Sequence, residues 1–307
     1  MATIDEVRAA RATLAGLVHD GNPQLVELIA THGPVETMTR LADRDLPTAL
    51  LRALPVAATG GQLREQAAAV AGQVARAGAR VVIPEDDQWP ARVRDLATTP
   101  GPGAVLCLWA RTATPDTVSD QLSRAVAVVG ARAATSYGMH VAQQLGYDLA
   151  GAGWTVVSTG GFGIDTAVLR GALAGGGTTV VVSPAGIGRA HPHANTDLFD
   201  QVTRHGMLVS PWPPGSTPTL HRFAATAVLA ATITAGTVLV EASIRSRALV
   251  TIRQAVRVGR PAMVVPGPVT SALSAGAHQA LRDHPQARLV RGGTDVLAEL
   301  ATPQPGA

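Results

Sequence analysis

The chain has 307 residues, 46% hydrophobic and only 15% charged, so material for a buried core is ample and disorder is excluded as the main state. A single cysteine, Cys107, excludes a disulfide framework and a multi-cysteine zinc site. All 25 basic residues are arginine, and the formal charge of +3 is uneven: residues 1–120 carry 11 Arg against 14 acidic residues and residues 121–307 carry 14 against 8, which makes the second part the better candidate for an anionic partner.

Asp5, Glu6, Arg8 and Arg11 interrupt any apolar run at the start, so no signal peptide is expected and the protein is assigned to the cytoplasm. Leu14, Leu17 and Val18, then Leu25, Leu28 and Ile29, recur at helical spacing and predict a small helical module over residues 1–58. Turns fall at Gly21-Asn22-Pro23 and His32-Gly33-Pro34, and a short joint at 57–61. A second region follows, with a helix over 62–77, a strand over 80–83, an acidic turn over 84–90, a strand over 105–109 and a polar connector over 112–120. Residues 59–301 are read as one extended body with its core at 121–301, and 302–307 as a tail.

From 121 onward strands and helices alternate. Strands are expected at 125–129, 154–157, 178–182, 207–209, 237–240 and 262–265, with helices at 137–150 and 164–174 and others between the later strands. Apolar strands of this kind are buried on both faces, which implies a doubly wound, mostly parallel α/β sheet of Rossmann-like type. The uncharged run 223–240 is built from Ala, Thr and Gly, with Gly236 inside it, and reads as a buried helix and strand rather than a membrane span.

Ligands of such sheets sit beyond the carboxyl ends of the strands, so three loops carry the functional weight. In the first, Gly130 permits a sharp turn and Arg132 projects toward the next helix start, where free amides favour an anion. The second, Ser158-Thr159-Gly160-Gly161-Phe162-Gly163-Ile164-Asp165, allows close backbone approach; Asp165 is expected to cap the following helix, and Arg170 to flank the loop. It is neither the dinucleotide fingerprint nor a P-loop, since the third glycine, the later acid and any lysine are missing. The third loop offers Arg189, His191 and His193 as an anion rim, with too few ligands for zinc. No nucleophile elbow or close carboxylate pair occurs in these loops, so no catalytic residue, cofactor or metal is assigned.

Gly130-Ala131-Arg132, Gly163-Ile164-Asp165, Arg170-Gly171-Ala172-Leu173, Val264-Val265-Pro266-Gly267 and Ser274-Ala275-Gly276 follow one another along the alternating region, with Pro84-Glu85-Asp86 and Trp89-Pro90 upstream. This ordered set resembles the DNA-processing protein A (DprA/Smf) family over nearly the whole chain. The resemblance implies a helical SAM-like start, an extended Rossmann fold, and a cytoplasmic, non-enzymatic homodimer. Its implied activity is to bind single-stranded DNA and load a RecA-type recombinase during natural transformation. It also implies a nucleic-acid site at Arg132, Gly160, Gly161, Gly163 and Arg170 and at the segment His221-Arg222-Phe223; the loops and the charge near them add Gly130, Ser158, Phe162, Arg189 and Arg247 to the expected site. The sequence departs from the family where an Arg-Asn-Arg triplet is usual, carrying Thr226-Ala227-Val228, and at Ser246-Arg247, where Ser-Gly is usual. Two other readings stand beside it. One is a nucleotide-binding or nucleotide-cleaving enzyme that uses the second loop and Glu241. The other is a degenerate homologue acting only through protein contacts.

Overall fold

In the computed structural model, which describes residues 2–17, 22–46, 60–98 and 105–302, the N-terminal spacing becomes helices α1 (Ile4–Leu17), α2 (Pro23–His32) and α3 (Pro34–Ala42). Asn22 caps α2 by accepting from the Gln24 N–H at 2.9 Å, and Pro23 and Pro34 stand in first turns, where a missing N–H costs nothing. Gly33, at φ 78°, turns α2 directly into α3. The next helix, α4 (Gly60–Arg76), starts two residues earlier than expected, so Gly60 and Gly61 are helical; the rest of the proposed joint, 57–59, lies outside the described residues, as do 303–307 of the tail. Helix α1 packs on α3 and α4, and Leu14, Leu25 and Leu41 are fully buried.

Strand β1 (Arg80–Val82) pairs antiparallel with β2 (Leu108–Arg111). The second strand therefore lies three residues beyond its expected start, because Leu106 and Cys107 are buried in the apolar cluster without joining the ladder. Two short helical elements were not foreseen, a 3-10 helix at Ala91–Thr98 and α5 (Val118–Ser123). The polar residues that made 112–120 read as a connector are in part the cap of α5: Thr117 Oγ1 accepts from the Asp120 N–H, and the Asp120 carboxylate accepts from the Thr117 N–H.

The remaining elements are β3 (Ala125–Val129), α6 (Ser136–Gly151), β4 (Thr155–Ser158), α7 (Ile164–Ala174), β5 (Thr179–Val182), α8 (Thr196–His205), β6 (Gly206–Ser210), α9 (Leu220–Ile233), β7 (Gly236–Leu239), α10 (Ala248–Arg257), β8 (Ala262–Val264), α11 (Ala272–Asp283), β9 (Arg288–Leu289) and α12 (Gly293–Ala301). Among the described residues the strands form one nine-stranded sheet in the order β1-β2-β6-β5-β4-β3-β7-β8-β9, parallel from β6 to β9. Alternate strand residues face opposite layers. Val126, Val128, Val156 and Val181 belong to the apolar cluster that includes α6, α7 and α8, whereas Val157, Val180, Val182 and Val209 belong to the one that includes α5, α9 and the 3-10 helix. Each such buried Val is worth roughly 1.5–3 kcal/mol. The uncharged run 223–240 falls on α9 and β7, both largely buried, and no helix of the described residues is long and apolar enough to cross a membrane.

This topology positions the site. The chain leaves β3 through α6 toward β4, and leaves β7 through α10 toward β8, on the opposite side. Beyond the carboxyl ends of β3 and β7 the two connections diverge and leave a crevice.

Candidate nucleic-acid interface

A cleft of about 380 Å³ opens at that divergence. Its walls come from the loop after β3 (Gly130, Arg132), the loop after β4 (Thr159, Gly161), the loop after β5 (His191), the first turns of α9 (Phe223, Ala227) and the loop after β7 (Arg245, Arg247). Phe223 stands among the cations. Arg132 lies 5.9 Å and Arg247 5.2 Å from its ring centroid, and the His191 ring is 5.4 Å away. Arg132 is also 5.9 Å from the exposed ring of Phe162, which flanks the mouth without lining it. Arg132, Arg245 and Arg247 are exposed and form no ion pair with any described residue. Burial, and then the Arg132 charge, lower the His191 pKa, so this ring is held toward its neutral form.

The α6 start does not present bare amides at the cleft, contrary to the expectation for the first loop. At α6 the buried Glu241 carboxylate accepts from the Thr135 N–H (2.9 Å) and hydroxyl (2.6 Å), while Thr135 Oγ1 caps Gly138. Glu241 thus holds the first loop in place. At α7 the helix begins at Gly163, with no side-chain cap. Asp165 points back instead, accepting from the Thr159 hydroxyl and from the Gly161 N–H at 3.2 Å, so it braces the loop rather than capping the helix. Each helix start already has its own carboxylate nearby, and attraction for an anion falls to the guanidinium groups.

Asp165 is buried, and burial raises its pKa against the lowering pull of Thr159 and Gly161. The folded chain then holds this proton more tightly than the unfolded chain, so the contribution of this group to stability is fully present below the ordinary carboxylate pKa and is lost as pH rises through the raised one. Asp165→Asn keeps an acceptor and removes the charge. As pH rises above the ordinary carboxylate range the urea midpoint of the variant is expected to gain on that of the parent. A parent that gains on the variant over that range would mean the two hydrogen bonds outweigh burial.

Of the residues named from sequence, Gly130, Arg132, Gly161, Asp165, His191 and Arg247 line the cleft. Several others do not. Ser158 is buried and donates to the Val128 carbonyl at 2.8 Å. Gly160 and Gly163 serve packing, since a Cβ would meet the Phe199 ring at the first and the Ala131 carbonyl at the second, both at positive φ. Arg170, Arg189 and His221 are exposed outside the cleft wall. Arg222 turns inward: it is 5% exposed, donates to the Thr217 carbonyl at 2.9 Å and lies 5.2 Å from the buried Trp212 ring, so it is a structural cation. Tyr137 donates its hydroxyl to the Pro266 carbonyl and lies outside the cleft. Burial pushes the Cys107 thiol up, away from nucleophile chemistry. Sequence reasoning left Phe223 out of the site, because its signal is only a position one residue past Arg222, on the opposite side of the first turn of α9.

The open, mostly parallel sheet with a crevice at its switch point defines a Rossmann-like protein whose candidate site sits at the strand ends. The family model for DNA recombination-mediator protein A matches residues 80–301, and the chain belongs to that family. It is 38% identical to the putative DNA processing protein DprA of Mycobacterium tuberculosis, over 99% of this chain and 80% of that one. It is 35% identical to the DNA processing protein DprA of Streptococcus pneumoniae, over 57% of this chain and 61% of that one. The fold matches the crystal structure of DprA from Streptococcus pneumoniae with a TM-score of 0.76 at 24% identity, covering 98% of this chain and 100% of that one. It also matches DNA processing protein A from Helicobacter pylori, described for its single-stranded DNA binding mode, with a TM-score of 0.61 at 21% identity over 72% of this chain and 95% of that one.

Proposed function

We propose that this protein binds single-stranded DNA across the switch-point cleft and delivers it to a RecA-type recombinase during DNA uptake, as a cytoplasmic homodimer and without catalysing a reaction. The observation that carries the DNA reading is the set Arg132, Arg245 and Arg247, exposed, without acidic partners and gathered at one crevice, with Arg132 and Arg247 against Phe223. Cations that track a backbone beside an aromatic face are the elements of sequence-tolerant single-strand binding. Membership in the recombination-mediator family and the single-stranded DNA named for the Helicobacter pylori protein support the same reading. In this scheme residues 1–58 act as a helical module beside the Rossmann-like body of 59–301.

The test is a parallel titration of labelled oligo-dT and labelled mononucleotides at two salt concentrations, with an assay for base release. Oligonucleotide binding that weakens with salt, at about 0.7 log units per log unit of salt for each phosphate contact, and no turnover, is the expected result. Turnover abolished by Glu241→Gln would overturn it in favour of a nucleotide-cleaving enzyme. Light scattering that finds only dimers, together with no binding to any nucleic acid, would favour a homologue acting through protein contacts alone.

A further inference from the structure

Several arginines on other parts of the molecule sit beside acids: Arg8 pairs with Asp5 and Asp86, Arg11 with Glu85, Arg40 with Glu36 and Arg291 with Asp295. Helix α10 breaks that pattern. Arg253 and Arg257 are exposed on it and form no ion pair with any described residue. From 201 to 282 the only acidic residue is Glu241, which is buried and bonded to Thr135. Asp95, on the 3-10 helix that packs against α9, is taken by Arg260. Arg253 and Arg257 are four residues apart, so their side chains follow one another on one ridge, about 6 Å apart along the axis. Like charges at this spacing repel and weaken the helix. The field of the helix end favours Arg257, in the last turn, but does not reach Arg253 in the middle. A polyanion lying on the ridge would turn that repulsion into attraction.

We infer that the outer ridge of α10 is an exit track for the bound strand. The single strand leaves the cleft past Arg245 and Arg247 and lays its following phosphates on Arg253 and Arg257. Neither Arg253 nor Arg257 lines the cleft, so this is a separate surface continuous with its mouth. Val250 continues the ridge back toward the helix start, where Arg247 stands, and the run from Arg247 to Arg257 is about 15 Å long. Helix α10 carries no aromatic residue, so the track offers charge without a stacking face and holds phosphates whatever the sequence. The bases of this stretch stay free. The inference rests on the single-stranded DNA reading and adds to it a direction and a length of strand that the cleft alone does not give.

The experiment uses the full chain and fluorescence anisotropy with labelled oligo-dT of two lengths, about 6 nucleotides to occupy the cleft and about 20 to reach past it. The double variant Arg253→Gln/Arg257→Gln keeps good helix formers at two exposed positions, and its urea midpoint checks that the fold is kept. It is expected to lose about tenfold in affinity for the long oligomer at low salt and to stay within about twofold of the parent on the short one. The slope of log affinity against log salt should fall by about 1.4 on the long oligomer alone. Unchanged affinity and slope on the long oligomer would overturn the track and leave binding at the cleft intact. An equal loss on both lengths would also overturn it, since a general field and not a path would then be acting. If the parent binds neither length, the single-stranded DNA reading itself fails and the track goes with it.

Discussion

Replacing Arg132 and Arg247 together by alanine is expected to weaken oligo-dT binding by about thirtyfold to a hundredfold at low salt. Both groups reach the same ring, Phe223, from different loops, and neither is neutralised by a described acid. Each lost phosphate contact should flatten the plot of log affinity against log salt by about 0.7, so the double variant should lose about 1.4 in slope. Stability should hardly change, because both side chains are exposed and the ring contacts they give up are worth about 0.5–1 kcal/mol each. Arg170→Ala and Arg189→Ala are the controls. Both side chains are exposed cations of the same charge, but neither lines the cleft, and each variant should stay within about twofold of the parent. If Arg170→Ala instead weakens binding as much as Arg132→Ala, the strand crosses the α7 face and the cleft is not its path.

That contrast between Arg132 and Arg170 marks how much of the site the sequence made legible. The strands β3 to β8 and the helices α6 and α7 were readable to within a residue because each of these strands is a mostly apolar run, whereas β9, two exposed residues at Arg288–Leu289, was not expected. The loops were readable for the same reason, as the segments that follow those runs. What the side chains do within them was less readable. Arg132 and Arg170 are equally good cations in sequence, but Arg170 lies six residues into α7, well past the helix start that meets the cleft. Arg222 and Phe223 are neighbours on α9, and the first turn of that helix sends the arginine to Trp212 and the ring to the cleft. Glu241 and Asp165 read as candidate chemistry, or as a helix cap, because a carboxylate at a strand end or helix start has several uses; only the partners Thr135, Thr159 and Gly161 decide which. The short elements at Ala91–Thr98 and Val118–Ser123 escaped because neither is long enough to show a period.

The largest expected loss of stability lies away from the cleft, where α6 crosses α7. Gly146 and Gly171 let the two helices touch through their backbones. A Cβ on Gly171 would collide with the Gln143 carbonyl, and one on Gly146 with the Val168 carbonyl. These are main-chain atoms, so no side chain can swing aside, and the helices themselves must separate. Gly171→Val is therefore expected to cost about 3 kcal/mol or more in urea unfolding, at the upper end of overpacking. Gly151→Ala is the contrasting change: at the last residue of α6 a Cβ meets nothing within 4 Å, and stability should hold or rise by a few tenths of a kcal/mol. The crossing also bears on the site. Helix α7 starts with the Ile164 N–H donating to the Ala131 carbonyl at 3.2 Å, which ties the helix to the loop that carries Arg132. Moving α7 to admit a side chain at 171 pulls on that tie, about 10 Å along the helix axis. Gly171→Ala, the milder change, should leave a folded protein that binds oligo-dT more weakly than the parent, whereas Gly151→Ala should bind as the parent does. Full affinity in a destabilised Gly171→Ala would show that the loop holds its shape independently of the helix behind it.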